Sequence, residues 1–282
     1  MEVIFEIATE IGYRSSTFFH PIESPQSNIL PVMSEDSPTH DADTTQKHRL
    51  LVAVCTLNES ENIVGMIRAI RKALPVADVL IVDDQSPDGT GDLVREHYGD
   101  DSKVLLQVRE NQRGLGGAIK KAMCHAVDQS YDFFINLDGD FSHDPDQLPD
   151  LYEEMLQQPS IDVVIGSRYA RGGKIVGWPI HRKWMSRLIN RFAITCLGLP
   201  VSDCSGSMRC YRVSALKKVK LQSLRVNGYA VLEEILLRMA QQGSRMSEVP
   251  ITFTDRQLGK SKLTMREAFR SCLQMIRMSL QR

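Results

Sequence analysis

The chain predicts an α/β domain built on a mostly parallel, mixed sheet flanked by helices. Short β-rich runs alternate with helical patterns from residue 50 onward, the signature of βαβ units. Between the first two runs Ile63, Met66, Ile67, Ile70 and Leu74 recur on one helical face. The length of 282 residues, with 42% hydrophobic and 24% charged residues, suits one large globular domain.

In chain order, residues 1–47 predict a disordered extension, because Ser, Pro, Thr, Asp and His dominate from Pro21 to His48 without apolar periodicity. Strands follow at LLVAVCT (51–56 with its lead-in), ADVLIVDD (77–84), KVLLQV (103–108), FFINLD (133–138) and DVVIGSR (162–168). A further helix is expected from Leu115 to about Val127. Beyond Gly172 the pattern turns helical over Arg182–Leu197, Tyr229–Gln242 and Thr264–Leu280, with a strand-like EVPITF (248–253) between the last two. No internal repeat is evident. These limits divide the chain into the extension, a domain over 48–263 and a C-terminal amphipathic helix over 264–282.

The formal net charge of −1 conceals a split: residues 1–164 hold 12 Lys/Arg against 29 Asp/Glu, and residues 165–282 hold 22 against 6. A basic second part suits an anionic partner: a phosphorylated substrate, a membrane surface or nucleic acid. Nucleic acid is disfavoured, since no binding motif and no interleaved aromatics accompany the basic residues. Six cysteines without C-x-x-C or zinc spacing read as buried thiols of a reducing compartment. No apolar stretch is long enough to span a bilayer, and Glu2, Glu6 and Glu10 stand where a signal peptide carries basic residues.

Ligands of parallel sheets bind beyond the carboxyl ends of the strands. There Leu137-Asp-Gly-Asp140 presents two acids flanking a glycine. Such oxygen ligands suit a hard divalent cation that also holds phosphate oxygens. A calcium loop does not fit, because His143 and Pro149 occupy the positions that need Gly and Glu. A phosphate loop does not fit at Gly259-Lys-Ser261 either, where Thr254 replaces the required upstream glycine. Arg113-Gly-Leu-Gly-Gly117 reads as a loop, or as the start of a helix pointing its N-terminus at a ligand.

Together these segments resemble the dolichol-phosphate mannose synthases and their bacterial polyprenyl-phosphate relatives, inverting family-two glycosyltransferases. The pieces are Cys55-Thr-Leu-Asn-Glu59, Val82-Asp-Asp-Gln-Ser-Pro-Asp-Gly-Thr90, Arg113-Gly-Leu-Gly116, Asp138-Gly-Asp-Phe-Ser-His143, Ile165-Gly-Ser-Arg-Tyr169, Trp178 through Ser186, Ser202 through Arg212, and Arg256-Gln-Leu-Gly-Lys-Ser-Lys-Leu263. They keep the family's order across roughly residues 50–263. The resemblance implies a GT-A fold, a Rossmann-like architecture for nucleotide-diphospho-sugar transfer. It also implies transfer of mannose from GDP-mannose to dolichyl or polyprenyl phosphate with inversion. The alternative is UDP-glucose or another nucleotide-sugar on the same fold.

By position, the resemblance implies that Cys55, Leu57, Glu59, Val82 and Asp84 line the nucleoside pocket. Asp138, Gly139 and Asp140 would meet the donor phosphates, with Asp138, Asp140 and Ser142 holding Mg²⁺ or Mn²⁺. Arg168, Arg182 and Ser186 would receive the lipid phosphate, and Arg256 and Lys262 would close over the donor diphosphate. Asp140, Arg168 and Arg182 are the expected catalytic residues. Leu57, Ser142 and Cys55 depart from the Tyr, Gln and Pro common in the family. A polyprenyl acceptor also implies peripheral contact with the cytoplasmic face of a membrane, or a membrane-anchoring partner.

Overall fold

The computed structural model describes residues 48–110, 113–225, 228, 230–256 and 265–280, with side chains of the last segment described from Ser271 onward. The expected extension over 1–47 lies outside the described residues.

In order, the elements are β1 (Leu50–Thr56), α1 (Ile63–Ala73), β2 (Asp78–Asp83), α2 (Thr90–Tyr98), β3 (Val104–Val108), α3 (Leu115–Asp128), β4 (Phe133–Asp138), α4 (Leu148–Gln157), β5 (Val163–Ser167), β6 (Lys174–Val176), α5 (Ile180–Leu197), β7 (Arg209–Arg212), α6 (Val213–Leu216), α7 (Val231–Gln241), β8 (Met246–Pro250), β9 (Thr252–Thr254) and α8 (Met265–Leu280). A seven-stranded sheet runs in the order β3-β2-β1-β4-β7-β5-β8. Its strands are parallel except for β7, which pairs antiparallel with both β4 and β5. Strands β6 and β9 form a small parallel sheet of their own.

Alternation along β1 explains why its run is continuously apolar. Leu50, Val52 and Val54 pack with α1, α2 and α4 on one face, whereas Leu51 and Ala53 pack with α3 and α7 on the other. A strand covered on both faces has no solvent side to keep polar. The predicted face of α1 is buried throughout, with Ile63, Met66, Ile67 and Ile70 inaccessible and Leu74 nearly so.

Three expectations need correction. EVPITF is two strands rather than one: Pro250 has no N–H for the ladder and ends β8, and β9 joins the small sheet. Strand β7, with its sequence RCYR, gave no apolar signal, yet Arg209 is fully buried between β4 and β5. The sequence places Met265, Phe269, Cys272, Ile276 and Leu280 in one stripe along the C-terminal helix, but in α8 the core face carries Cys272, Met275 and Met278, while Ile276 and Leu280 are exposed. The side chains of Met265 and Phe269 in that stripe lie outside the described residues. Helix α8 packs on α5 and α7. Among the described residues no helix is long and apolar enough to cross a membrane.

The small sheet is tied to the Asp-Gly-Asp turn. The Thr254 amide donates to the Ser142 carbonyl at 3.0 Å, and His143 bridges to Phe253. This junction determines where the segment after β9 leaves the fold.

Ile67 has no accessible surface in the α1 face of the core. Ile67→Ala should therefore cost about 2–5 kcal/mol, read as a lowered urea midpoint with an unchanged slope.

Candidate active site

Parallel register gathers the acids. Cys55 lies opposite Asp138 and Thr56 opposite Asp83, so the ends of β1, β2 and β4 share one edge. The chain turns sharply off each of them: Asn58, Gln85 and Phe141 all hold positive φ, between 52° and 57°. For the bulky Phe141 this is a strained conformation that its packing must maintain. The turn folds Asp140 back, so that its Oδ1 accepts the Ser142 amide at 3.0 Å. Gly139 packs closely, since a Cβ there would lie 3.1 Å from Val54 Cγ1.

Above this edge opens a cavity of about 510 Å³. Cys55, Leu57, Glu59, Asp84, Asp138, Gly139, Asp140 and Arg256 all line it. Arg225, Gly228, Ser271 and Gln274 line it as well. The last two come from α8, and nothing in the sequence linked that helix to the carboxylates.

Asp140 is 5% exposed, and its Oδ2 accepts Arg256 Nη2 at 2.8 Å. Asp138 keeps part of its carboxylate open to the cavity, 3.7 Å from His143 Nδ1. Burial raises the proton affinity of Asp138, and the neighbouring Asp140 raises it further. His143 is buried, with both ring nitrogens lacking hydrogen-bond partners among the described residues, and burial pushes its pKa down while Asp138 opposes that shift. Two carboxylates one residue apart on the cavity wall fit a hard divalent cation, which typically takes one or two protein carboxylates and completes its shell with phosphate oxygens and water. Ser142 is buried beside them, its main chain held by Asp140 and Thr254.

Other expectations shift in the same way. Val82 is fully buried in the core on the α3 side, so it packs beneath the cavity rather than lining it. Asp84 does line it, but Oδ1 holds Arg109 Nη1 at 2.5 Å and Oδ2 accepts the Gly114 amide at 2.7 Å. Asp84 therefore pins the start of α3, where Gly114 adopts a φ of 134°. Burial, aided by Asp138 and Asp84, pushes the Cys55 thiol far up, which removes it as a nucleophile.

Arg168 was expected to fork around a phosphate. Instead Nε and Nη2 grip Asp203 at 2.7 and 2.8 Å, and Nη2 also reaches Ser205 Oγ. Asp203 also accepts the Arg168, Ser205 and Gly206 amides. Asp203 lies within a recognised segment, but its sequence neighbours gave no sign that it faces Arg168. Arg182 is more open: Nη1 meets both oxygens of Asp255 at 3.1 Å, and the guanidinium lies 4.1 Å over the Trp178 ring. Ser186 shares a 2.7 Å hydrogen bond with the Tyr169 hydroxyl. Lys262 lies outside the described residues.

A mostly parallel, mixed α/β sheet flanked by helices is the fold of the GT-A glycosyltransferases. Solved structures agree in fold. Glucosyl-3-phosphoglycerate synthase from Mycobacterium tuberculosis in complex with uridine diphosphate superposes with a TM-score of 0.61 at 17% identity, over 83% of this chain and 79% of that one. The same protein in complex with Mn²⁺ and UDP-glucose gives 0.59 at 18% identity, over 83% and 78%. Residues 51–220 match the family described as Glycosyl transferase family 2, and the chain belongs to it. Among curated relatives, undecaprenyl-phosphate mannosyltransferase of Micrococcus luteus is 38% identical, over 77% of this chain and 88% of its own length. Polyprenol monophosphomannose synthase of Mycolicibacterium smegmatis is 35% identical, over 77% and 81%.

The Arg168–Asp203 pair has a pH signature. Despite its burial, Arg168 and the surrounding amides hold Asp203 down to about 2, below its ordinary 3.8. The stabilisation is therefore complete above the ordinary value and is lost as pH falls through 3.8 toward 2. Asp203→Asn should cost about 3–5 kcal/mol at neutral pH, because it strands a buried guanidinium. Urea titrations of both proteins at falling pH should show that gap closing only in the acid window.

Proposed function

We propose that the chain transfers mannose from GDP-mannose to a polyprenyl phosphate with inversion at the anomeric carbon. The observation that carries this reading is the direct junction of two subsites. Arg256, paired with Asp140, is the neighbour of Asp255, paired with Arg182. The consecutive residues Asp255 and Arg256 therefore link the Asp-Gly-Asp turn, through Arg256, to Arg182, an arginine suited to an anionic acceptor, through Asp255. The activities named for the two curated relatives support the choice of sugar and acceptor.

Cys55, Leu57, Glu59 and Asp84 would face the nucleoside, and Gly139, which lines the same cavity, would lie beside the diphosphate. Asp138 and Asp140 would hold Mg²⁺ or Mn²⁺, which neutralises charge on the departing diphosphate when bound. Arg256, and Lys262 from the segment that follows it, would supply further positive charge there. Arg182 and Ser186 would orient the acceptor phosphate, with Arg168 bracing that wall through Asp203. The acceptor is already an anion near neutral pH, so no side chain must remove a proton. One phosphate oxygen forms its bond to the anomeric carbon as the bond to the diphosphate breaks, and GDP leaves with the electron pair. Alignment and charge placement supply the rate.

Peripheral contact with the cytoplasmic face of a membrane belongs to the same reading. Helix α5 exposes Ile180, Trp184 and Leu188 beside Lys183, Arg187 and Arg191, and it packs on α8, which exposes Leu280. Apolar side chains among cations suit an anionic lipid surface.

Incubation with GDP-mannose, Mg²⁺ and a short polyprenyl phosphate should yield organic-soluble mannose. Label appearing only from UDP-glucose would change the donor. Asp140→Ala should lower turnover by roughly 10²-fold or more, and a rate close to wild type would remove the acid from the site. In flotation, the protein should rise with anionic liposomes and be released by salt; equal recovery with neutral liposomes contradicts the contact.

A further inference from the structure

Asp255 was not among the expected site residues, yet it organises the acceptor side. Its Oδ1 accepts Trp178 Nε1 at 3.0 Å, and both oxygens accept Arg182 Nη1. Its amide donates to the Val176 carbonyl at 3.0 Å. Gly177 makes the approach possible: it holds a φ of 84°, and a Cβ there would come within 3.0 Å of Asp255 Cβ. The carboxylate thus occupies the guanidinium that an acceptor phosphate needs.

The next residue belongs to the other subsite. Arg256 is bound to Asp140, whose carboxylate is nearly inaccessible, whereas the Arg182–Asp255 pair is about two-fifths exposed. Consecutive Cα atoms lie about 3.8 Å apart across a rigid, planar peptide, so a main-chain shift at either residue displaces the other. Thr254, just before them, is anchored by its amide to Ser142 at the Asp-Gly-Asp turn. Movement must therefore be taken up at 255–256. An exposed ion pair is weak enough to be exchanged for a doubly charged phosphate once its geometry is disturbed.

We infer that Asp255 is a positioning residue that masks Arg182 while Arg256 rests on Asp140, and that donor binding lifts the mask. When Asp140 turns its carboxylate to a donor diphosphate and its cation, Arg256 loses that partner and swings to the diphosphate. The shared peptide carries Asp255 off Arg182, and the acceptor phosphate takes its place. Donor and acceptor binding are thereby coupled, each tightening the other by the same factor. This rests on the proposed function, since it assigns Arg182 to a phosphate acceptor.

The test measures dissociation constants of a short-chain prenyl phosphate with and without saturating GDP and Mn²⁺. In the wild-type protein the nucleotide should tighten prenyl phosphate at least about fivefold, the lower end of ordinary coupling. In Asp255→Asn, which keeps an acceptor for Trp178, prenyl phosphate should bind tightly without nucleotide and change less than about twofold when it is added. A merely structural role for Asp255 would weaken binding in both conditions and leave the ratio intact, which overturns the inference. Should that variant fail to fold, Trp184→Phe leaves Trp178 as the only tryptophan. Its emission should then shift on adding GDP and Mn²⁺ alone, and an unchanged spectrum overturns the inference. Equal wild-type binding with and without nucleotide overturns the coupling only, whereas no binding of prenyl phosphate under any condition overturns the functional reading as well.

Discussion

Two carboxylates one residue apart, in a wall largely closed to water, repel each other unless positive charge is brought to them. The surroundings of Asp138 and Asp140 answer that constraint. Burial raises the proton affinity of Asp138, His143 opposes that rise and Asp140 adds to it, and Arg256 is placed directly on Asp140. The small sheet of β6 and β9 exists at the place where it can deliver that arginine. It is bonded to Ser142, whose own amide is capped by Asp140.

Around this pair the site is held by ion pairs that position backbone and so are closed to ligands on those edges. Asp84 spends its oxygens on Arg109 and on the amide that opens α3. Arg168 and Asp203 lock the end of β5 to the loop before β7. Buried pairs of this kind are weak sources of net stability but costly to break. They give geometric definition, which a reaction driven by alignment needs more than it needs extra binding energy.

Much of this was legible from residues alone. The strand runs were readable because burial on both faces demands continuous apolar sequence, and α1 because its face repeats with helical period. The Asp-Gly-Asp turn was readable because a strand that ends in charge must end at solvent or a ligand. Strand β7 escaped notice because pairing on both edges, together with the Leu232 and Cys204 carbonyls that accept its Arg209, buries a polar sequence. That Arg168 meets Asp203 was not legible, because the two are 35 residues apart. Nor was the burial of Ser142 and Val82, because position in a motif does not tell which way a side chain points.

The sequence by itself determined the fold class, the edge of the sheet that carries the chemistry, and the residue types gathered there, because strand burial and alternation are local consequences of composition. Only the tertiary structure decided which charge answers which. Asp140 faces Arg256, Asp255 faces Arg182 and Asp203 faces Arg168, since electrostatic partners are selected by distance in space across crossovers that no local pattern records.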